Sequence, residues 1–382
     1  MTSVSARART SAMSRFTAMF AKEFIQLRRD RVTFATMIMI PLMQLLLFGF
    51  AINTNPKNLP AAVLLQEESD LGRSILAALR NSSYFDVTRT ARTEADIDRW
   101  LKSGEVLFAV EIPAGFARAV RRGERPALLV SADATDPVAA GTALAALEGI
   151  VGSALARDRA VPSEPTAGAP FEIRQHRLYN PAGVTQLNIV PGLLGTILTM
   201  TMLIFTALSV TREVERGTME SLLAMPLQPI EIMLGKIAPY VFVGFLQAAI
   251  ILILGTTVFG VPIVGSLLLL AALTTLFITA NLAVGYTFST LARTQLQAMQ
   301  MSIMWFLPNI LLSGFMFPFA GMPKWAQWFS EMLPLTHYLR IVRGIMLKGA
   351  DLADLQREAL WLAALMLLAM TVAVTRFRRT LD

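Results

Sequence analysis

The sequence predicts a polytopic α-helical membrane protein with about six transmembrane helices and an extracytoplasmic α/β domain inserted between the first and second spans. Three observations predict it. Apolar stretches of about 20 residues, the length that crosses a bilayer core, recur along the 382 residues. Hydrophobic residues make up 54% of the chain and charged residues only 16%, with a mean hydropathy of +0.54. That is too apolar for a soluble protein, where charged residues approach ~25%. One polar block, residues 53–183, breaks the apolar pattern and alternates helix-like with strand-like periods. The net charge of +7 fits basic residues retained at the cytoplasmic face of a multi-pass protein, and nucleic acid is not needed to explain it. There is no cysteine, which excludes a disulfide framework and a thiolate metal site.

Residues 1–31 read as a cytoplasmic N-terminus. Within them, Phe16, Phe20, Phe24 and Leu27 recur at helical spacing, and Arg15, Lys22, Arg28, Arg29 and Arg31 supply positive charge. The pattern suits an amphipathic helix on the inner leaflet, and equally a positive flank of the first span. Residues 32–52 are that span. Its apolar run is too long for a signal-peptide core of about 7–15 residues, so an uncleaved anchor is expected.

Residues 53–183 carry the inserted domain. Strand-like runs at 61–65, 84–89, 105–112, 127–132 and 171–178 alternate with helical runs at 71–80, 94–102 and 114–122. Gly104 and Gly123 close two of those helices. Asp136 as N-cap and Pro137 at the first helical position open a longer helix to about residue 156. A Pro/Ser/Gly linker covers 161–170. Alternation of this kind argues for an α/β fold, and both ends enter spans on the same side of the membrane.

Residues 184–382 form the main transmembrane domain, with further spans at about 189–210, 237–259, 266–291, 298–318 and 360–375. Arg376, Arg378 and Arg379 anchor the last one inside. Both termini are therefore expected in the cytoplasm and the protein in the cell's inner (plasma) membrane.

Two polar segments stand out. Residues 211–236 form a charged, Pro-punctuated hairpin between two spans. Arg216 and Glu220 are spaced i,i+4, and Glu213 and Arg216 i,i+3, as ion pairs on an exposed helix are. Met219, Leu222 and Leu223 share a face able to dock on something apolar. Pro226 and Pro229 break the helix before it restarts. A plain spacer needs neither the Gly217–Thr218 step nor an apolar face. Residues 319–358 form an external re-entrant or interfacial segment. Trp325, Trp328 and Tyr338 suit the headgroup level, and residues 334–344 read as a short helix too charged to cross lipid exposed.

The run R-E-x-E-x-G-T-x-E-x-L-L-x-x-P is carried by Arg212, Glu213, Glu215, Gly217, Thr218, Glu220, Leu222, Leu223 and Pro226. It resembles the signature of ABC-2 type transporter permeases, in particular the bacterial drug-export branch. Pro229, Glu231, Leu234, Gly235 and Lys236 continue the likeness. The resemblance implies that this segment is a cytoplasmic coupling helix that contacts a nucleotide-binding ATPase. It also implies an elbow helix carried by Phe16, Phe20, Lys22, Glu23, Phe24, Arg28 and Arg29. The runs S-G-F-M-F-P at 313–318, M-P at Met322 and Pro323, P-L-T-H at 334–337 and R-G at Arg343 and Gly344 are similar too. They imply an external helix beside an exit gate, with Gly314, Pro318, Pro334, His337, Arg340 and Arg343 as its residues. The likeness is weakest in the inserted domain, where only D-A-T-D-P at 133–137 is familiar.

The chain lacks a phosphate-cradling G-x-x-x-x-G-K-[ST] loop: at its Gly235–Lys236 pair, Ile230 stands where the first Gly should be. The two histidines lie far apart, without zinc-ligand spacing, and no serine sits in a G-x-S-x-G elbow. No enzymatic role, metal or cofactor is expected for this chain; ATP and Mg would belong to ATPase partner subunits. The other expected partners are lipid and a second permease copy or paralogue, with a periplasmic adaptor as a further candidate. The spans are nearly free of ionisable groups, which weighs against a proton- or sodium-driven transporter. Gln44, Gln247, Asn281 and Asn309 either bond across helices or line a pathway. The expected function is export of hydrophobic or amphipathic, drug-like compounds. The alternatives are a membrane-anchored ligand sensor or tether acting through the external domain, or a permease for lipid-linked glycans or sodium.

Overall fold

Apolar residues at period two, separated by capped helices, give the N-terminal half a mixed sheet with helices on both faces. The computed structural model describes residues 57–157, 170–217 and 229–379. The elements there are β1 (Leu59–Leu65), α1 (Asp70–Asn81), β2 (Phe85–Ala91), α2 (Glu94–Ser103), β3 (Phe108–Ile112), α3 (Phe116–Arg121), β4 (Ala127–Asp133), α4 (Pro137–Arg157) and β5 (Glu172–Leu178). The strand order is β2-β1-β3-β4-β5. All neighbours are parallel except β3 and β4, which are antiparallel.

The two faces of β1 show why the sheet is buried on both sides. Ala61 and Val63 join a core with Leu71, Ile75 and Leu79 of α1, Phe116 of α3 and Leu144, Leu147 and Val151 of α4. Ala62 and Leu64 point the other way, to Ile97 and Leu101 of α2. Local chemistry sets the helix ends. Ser69 accepts from the Gly72 amide. Thr93 and Asp96 close a reciprocal capping box, and Gly104, at φ 74, ends α2 in the left-handed region.

The second half is helical: α5 (Gln186–Glu215), α6 (Pro229–Thr257), α7 (Leu267–Leu291), α8 (Gln295–Leu312), α9 (Lys324–Ser330), α10 (Pro334–Lys348) and α11 (Gln356–Arg379). Among the described residues, four helices are long and apolar enough to cross a membrane: Thr185–Glu213, Pro239–Thr257, Leu267–Leu291 and Gln356–Arg376. The expected first span at 32–52 and the elbow at 1–31 lie outside the described residues. The stretch expected to span at 298–318 is not one of the four: α8 stops at Leu312 and the chain turns at Gly314, whose φ is 84. Only the two ends of the hairpin expected at 211–236 are described, and residues 218–228 lie outside the described residues. α5 runs on to Glu215 and α6 starts at Pro229.

α10 is not a surface helix. Leu335, Tyr338, Leu339, Ile341, Val342, Ile345 and Met346 are all fully buried, packed among α5, α7 and α11. The Tyr338 ring stacks on Phe277 of α7 at 3.9 Å, and its hydroxyl is 2.8 Å from Thr274 Oγ1. Glycine allows the close approach: a Cβ on Gly195 of α5 would sit 2.6 Å from Leu335 Cδ1. With α10 inserted at one end of the bundle, its last residue, Lys348, reaches the sheet domain.

Candidate functional site

Polar chemistry gathers at the two ends of the helical bundle. α5 has 30 residues, so its ends stand about 45 Å apart.

At the end far from the sheet domain, α5 carries Arg212, Glu213 and Glu215 in its last turns. The Glu215 carboxylate accepts from the Gln295 backbone amide at 2.6 Å and from Gln295 Nε2 at 2.5 Å. Those two bonds pin the start of α8 to the end of α5. They also hold the Glu215 carboxyl below the usual carboxylate range. Arg212, Glu215 and Arg216 are exposed. Gly217, at φ 68 with open space around it, turns the chain out of the helix. Thr218, Glu220, Leu222, Leu223 and Pro226 lie outside the described residues, as do Phe16, Phe20, Lys22, Glu23, Phe24, Arg28, Arg29 and Gln44.

At the sheet end, helical spacing puts His337, Arg340 and Arg343 of α10 on one stripe, with Lys348 five residues further on. His337 is fully buried. Its Nδ1 lies 2.5 Å from Glu358 Oε2 and its Nε2 2.8 Å from the Glu331 carbonyl oxygen. The ring stacks on Trp361 of α11. Arg340 donates to Glu331 Oε1 at 2.7 Å and to Glu358 Oε1 at 3.2 Å, with Phe319 beneath its guanidinium. Burial alone would lower the Arg340 pKa, but the two carboxylates outweigh it and hold it raised. Arg343 donates to Asn188 Oδ1 at 2.5 Å and to the Gly314 carbonyl at 3.1 Å. Burial pulls its guanidinium down, partly opposed by Asp136 and Asp133. Lys348 donates to the Asp133 carboxylate and to the Leu101 carbonyl at 3.2 Å.

The structure thus collects the six residues expected at this end in one region. Gly314 supplies the carbonyl for Arg343, Pro318 precedes the short 3-10 turn Phe319–Gly321, and Pro334 opens α10 at its first position. Sequence reasoning missed Glu331, Glu358, Asn188 and Lys348. Glu358 carried one signal, an acid in the first turn of an otherwise apolar helix. Two cavities lie along the seam between sheet and helices. One, of about 390 Å³, is lined by Asn58, Asp86 and Phe319. The other, of about 370 Å³, is lined by Arg340, Arg343, Lys348, Asp133 and Asp136.

The polar residues within the helices use their bonds in different ways. Gln247 Oε1 accepts from Thr201 Oγ1 at 2.8 Å, which ties α6 to α5. Asn281 and Asn309 donate to their own helices, to the Phe277 and Trp305 carbonyls. Their buried Oδ1 atoms have no partner among the described residues. Many of the threonines, such as Thr196, Thr199 and Thr206, bond back to the carbonyl four residues earlier. Among the described residues, no group of three or more His, Asp or Glu side chains is placed to hold a metal ion.

Comparison with known proteins places this architecture. The sequence model of a family described as "ABC-2 family transporter protein" matches residues 31–375. The chain is 30% identical over 370 residues to the "Probable multidrug ABC transporter permease YbhS" of Escherichia coli K12, covering 96% of this chain and 98% of that one. It is 29% identical over 351 residues to the "Probable multidrug ABC transporter permease YbhR" of the same organism, covering 91% and 93%. It is 25% identical over 352 residues to "ABC transporter G family member 20" of Dictyostelium discoideum, covering 91% of this chain and 48% of that longer one. A match across nearly the whole length, spanning both the sheet domain and the helices, establishes that this chain belongs to the ABC-2 transporter family.

Proposed function

We propose that this permease exports hydrophobic or amphipathic, drug-like compounds, driven by ATP hydrolysis on separate ATPase subunits. The observation that carries the reading is the end of α5. Arg212, Glu213 and Glu215 continue directly from an apolar helix long enough to span, at the opposite end from its start near the sheet domain, about 45 Å along its axis. A force applied there is transmitted along a rigid helix. Glu215 and Gln295 pass it to α8 as well. On this reading the end of α5 is cytoplasmic, the sheet domain lies outside, both chain termini lie inside, and the pathway forms between two permease copies or a related pair. Residues 218–228 complete the ATPase contact, and residues 14–31 brace the motion against the inner leaflet. ATP and Mg bind the partner subunits. The drug-like cargo is supported by the names of the two Escherichia coli relatives and by spans that present mostly apolar side chains.

Glu213→Lys reverses a charge at the coupling end. In proteoliposomes reconstituted with the cognate ATPase, it is expected to abolish stimulation of hydrolysis and export of a fluorescent amphiphile, with membrane insertion intact. Unchanged export by that variant would sink the coupling assignment.

A further inference from the structure

The cavity of about 370 Å³ at the seam between sheet and helices is lined by acids and cations alike, but one of its cations, Arg343, makes no direct ion pair among the described residues. Arg343 lines it from α10. Both acceptors that Arg343 Nη2 reaches, Asn188 Oδ1 and the Gly314 carbonyl, are neutral. Its Nε is buried and meets no partner among the described residues. Of the other cations lining it, Arg340 pairs with Glu331 and Glu358, Lys348 with Asp133 and Lys102 with Asp354, while Arg357 is exposed to solvent. Asp133 is thereby engaged, and Asp136 accepts from the Ala139 amide at the start of α4. Both act on Arg343 only at longer range. A desolvated guanidinium with an unused N–H is costly to leave unmatched, and it is the side chain best shaped to take a two-oxygen anion.

We propose that this cavity is an oxyanion site in which Arg343 receives the phosphate or carboxylate of an amphiphile. Leu107, Phe319 and Leu355 also line the cavity and give apolar surface for the first carbons of a chain, and Thr135 adds a hydroxyl to the lining. The volume suits a head group with a short tail. The site does not depend on which cargo is exported, nor on the direction of transport.

The test is titration calorimetry on the purified full chain in neutral detergent. The probes are hexyl phosphate, inorganic phosphate and hexyltrimethylammonium. Hexyl phosphate is expected to bind saturably, one per chain, and hexyltrimethylammonium not at all. Arg343→Gln should weaken hexyl phosphate binding about tenfold or more, and Arg343→Lys less, because lysine keeps the charge but not the fork. Inorganic phosphate binding as tightly as hexyl phosphate would identify a free oxyanion as the natural occupant. A much weaker inorganic phosphate would identify an amphiphile's head. Either result supports the site. Arg343 also braces α5, so Leu107→Trp provides a second variant that fills the cavity while leaving the Arg343 bonds in place. It should weaken hexyl phosphate to a similar degree with unchanged thermal unfolding. No saturable binding of either phosphate by the wild type overturns the proposal. So does normal hexyl phosphate binding by folded Arg343→Gln or by Leu107→Trp.

Discussion

Lys348, the last residue of α10, donates to the carboxylate of Asp133, the last residue of β4, and both side chains are at most 8% exposed. This buried pair joins the helical bundle to the sheet domain, with the Tyr179 ring beside the ammonium. Removing one member of a buried pair strands the other charge, at a cost of about 3–5 kcal/mol. Lys348→Met and Asp133→Asn should therefore each lower the thermal unfolding temperature in detergent markedly. The double variant, which strands no charge, should recover most of the loss. A double variant as unstable as the sum of the singles would show that the pair does not act as a unit.

The His337–Glu358 contact makes a graded prediction. Both ring nitrogens of His337 face oxygens, the Glu331 carbonyl and the Glu358 carboxylate, whereas a neutral imidazole carries one N–H. Glu358→Gln supplies a donor to Nδ1, keeps an oxygen for Arg340, and should cost little beyond the charge lost opposite Arg340. Glu358→Leu leaves Nδ1 unbonded and Arg340 with Glu331 alone, and should cost about 3–5 kcal/mol. Thermal unfolding of the two variants side by side gives the order.

Gly285 of α7 sets how closely α7 packs on α5. A Cβ there would lie 2.6 Å from the Leu203 carbonyl oxygen, a backbone atom that cannot swing aside. Gly285→Ala should force the helices apart and cost about 1–3 kcal/mol. Gly149→Ala, at a position in α4 with nothing within 4 Å, should be neutral or stabilising by about 0.5–1 kcal/mol. Circular-dichroism melts of both variants make the comparison, and equal effects would remove the packing argument.

The Lys102–Asp354 bridge, at 3.1 Å, is a second tie across the seam. Burial alone would raise the Asp354 pKa, but the Asp351 amide and Lys102 outweigh it and hold the carboxyl below its usual value. A depressed folded-state value means the contribution is complete above the ordinary carboxylate pKa of about 4 and is lost as pH falls through the lower folded one. Wild type and Asp354→Asn should therefore differ in unfolding temperature by a constant amount from pH 5 to 8 and converge below about pH 4. Convergence at neutral pH would rule the tie out.

The elements were legible from the chain because their causes are local. Leu71, Ile75 and Leu79 recur at helical spacing and share the core under the sheet. Gly104 marked the end of α2, and the structure shows its start fixed just as locally, by Thr93 and Asp96. The apolar lengths of α5, α6, α7 and α11 announce helices that can span. The motif residues at the end of α5 were equally readable, since Arg212, Glu213 and Glu215 need only the same helix.

Partner choice was not legible. Glu358 and His337 are 21 residues apart, Arg343 and Asn188 155 apart, and Lys348 and Asp133 215 apart. No periodicity encodes such distances. The chain by itself determined which segments are helices, which are strands, and that several are apolar enough for lipid. Only the tertiary structure decided that α10 lies buried in the bundle, that Gln247 bonds across to Thr201 while Asn281 bonds back to its own helix, and that Arg343 bonds neutral acceptors where Arg340 and Lys348 bond carboxylates. The reason is that each outcome depends on how far a helix is rotated about its axis. Packing of side chains from distant segments sets that rotation, whereas helix formation depends only on neighbours within about four residues.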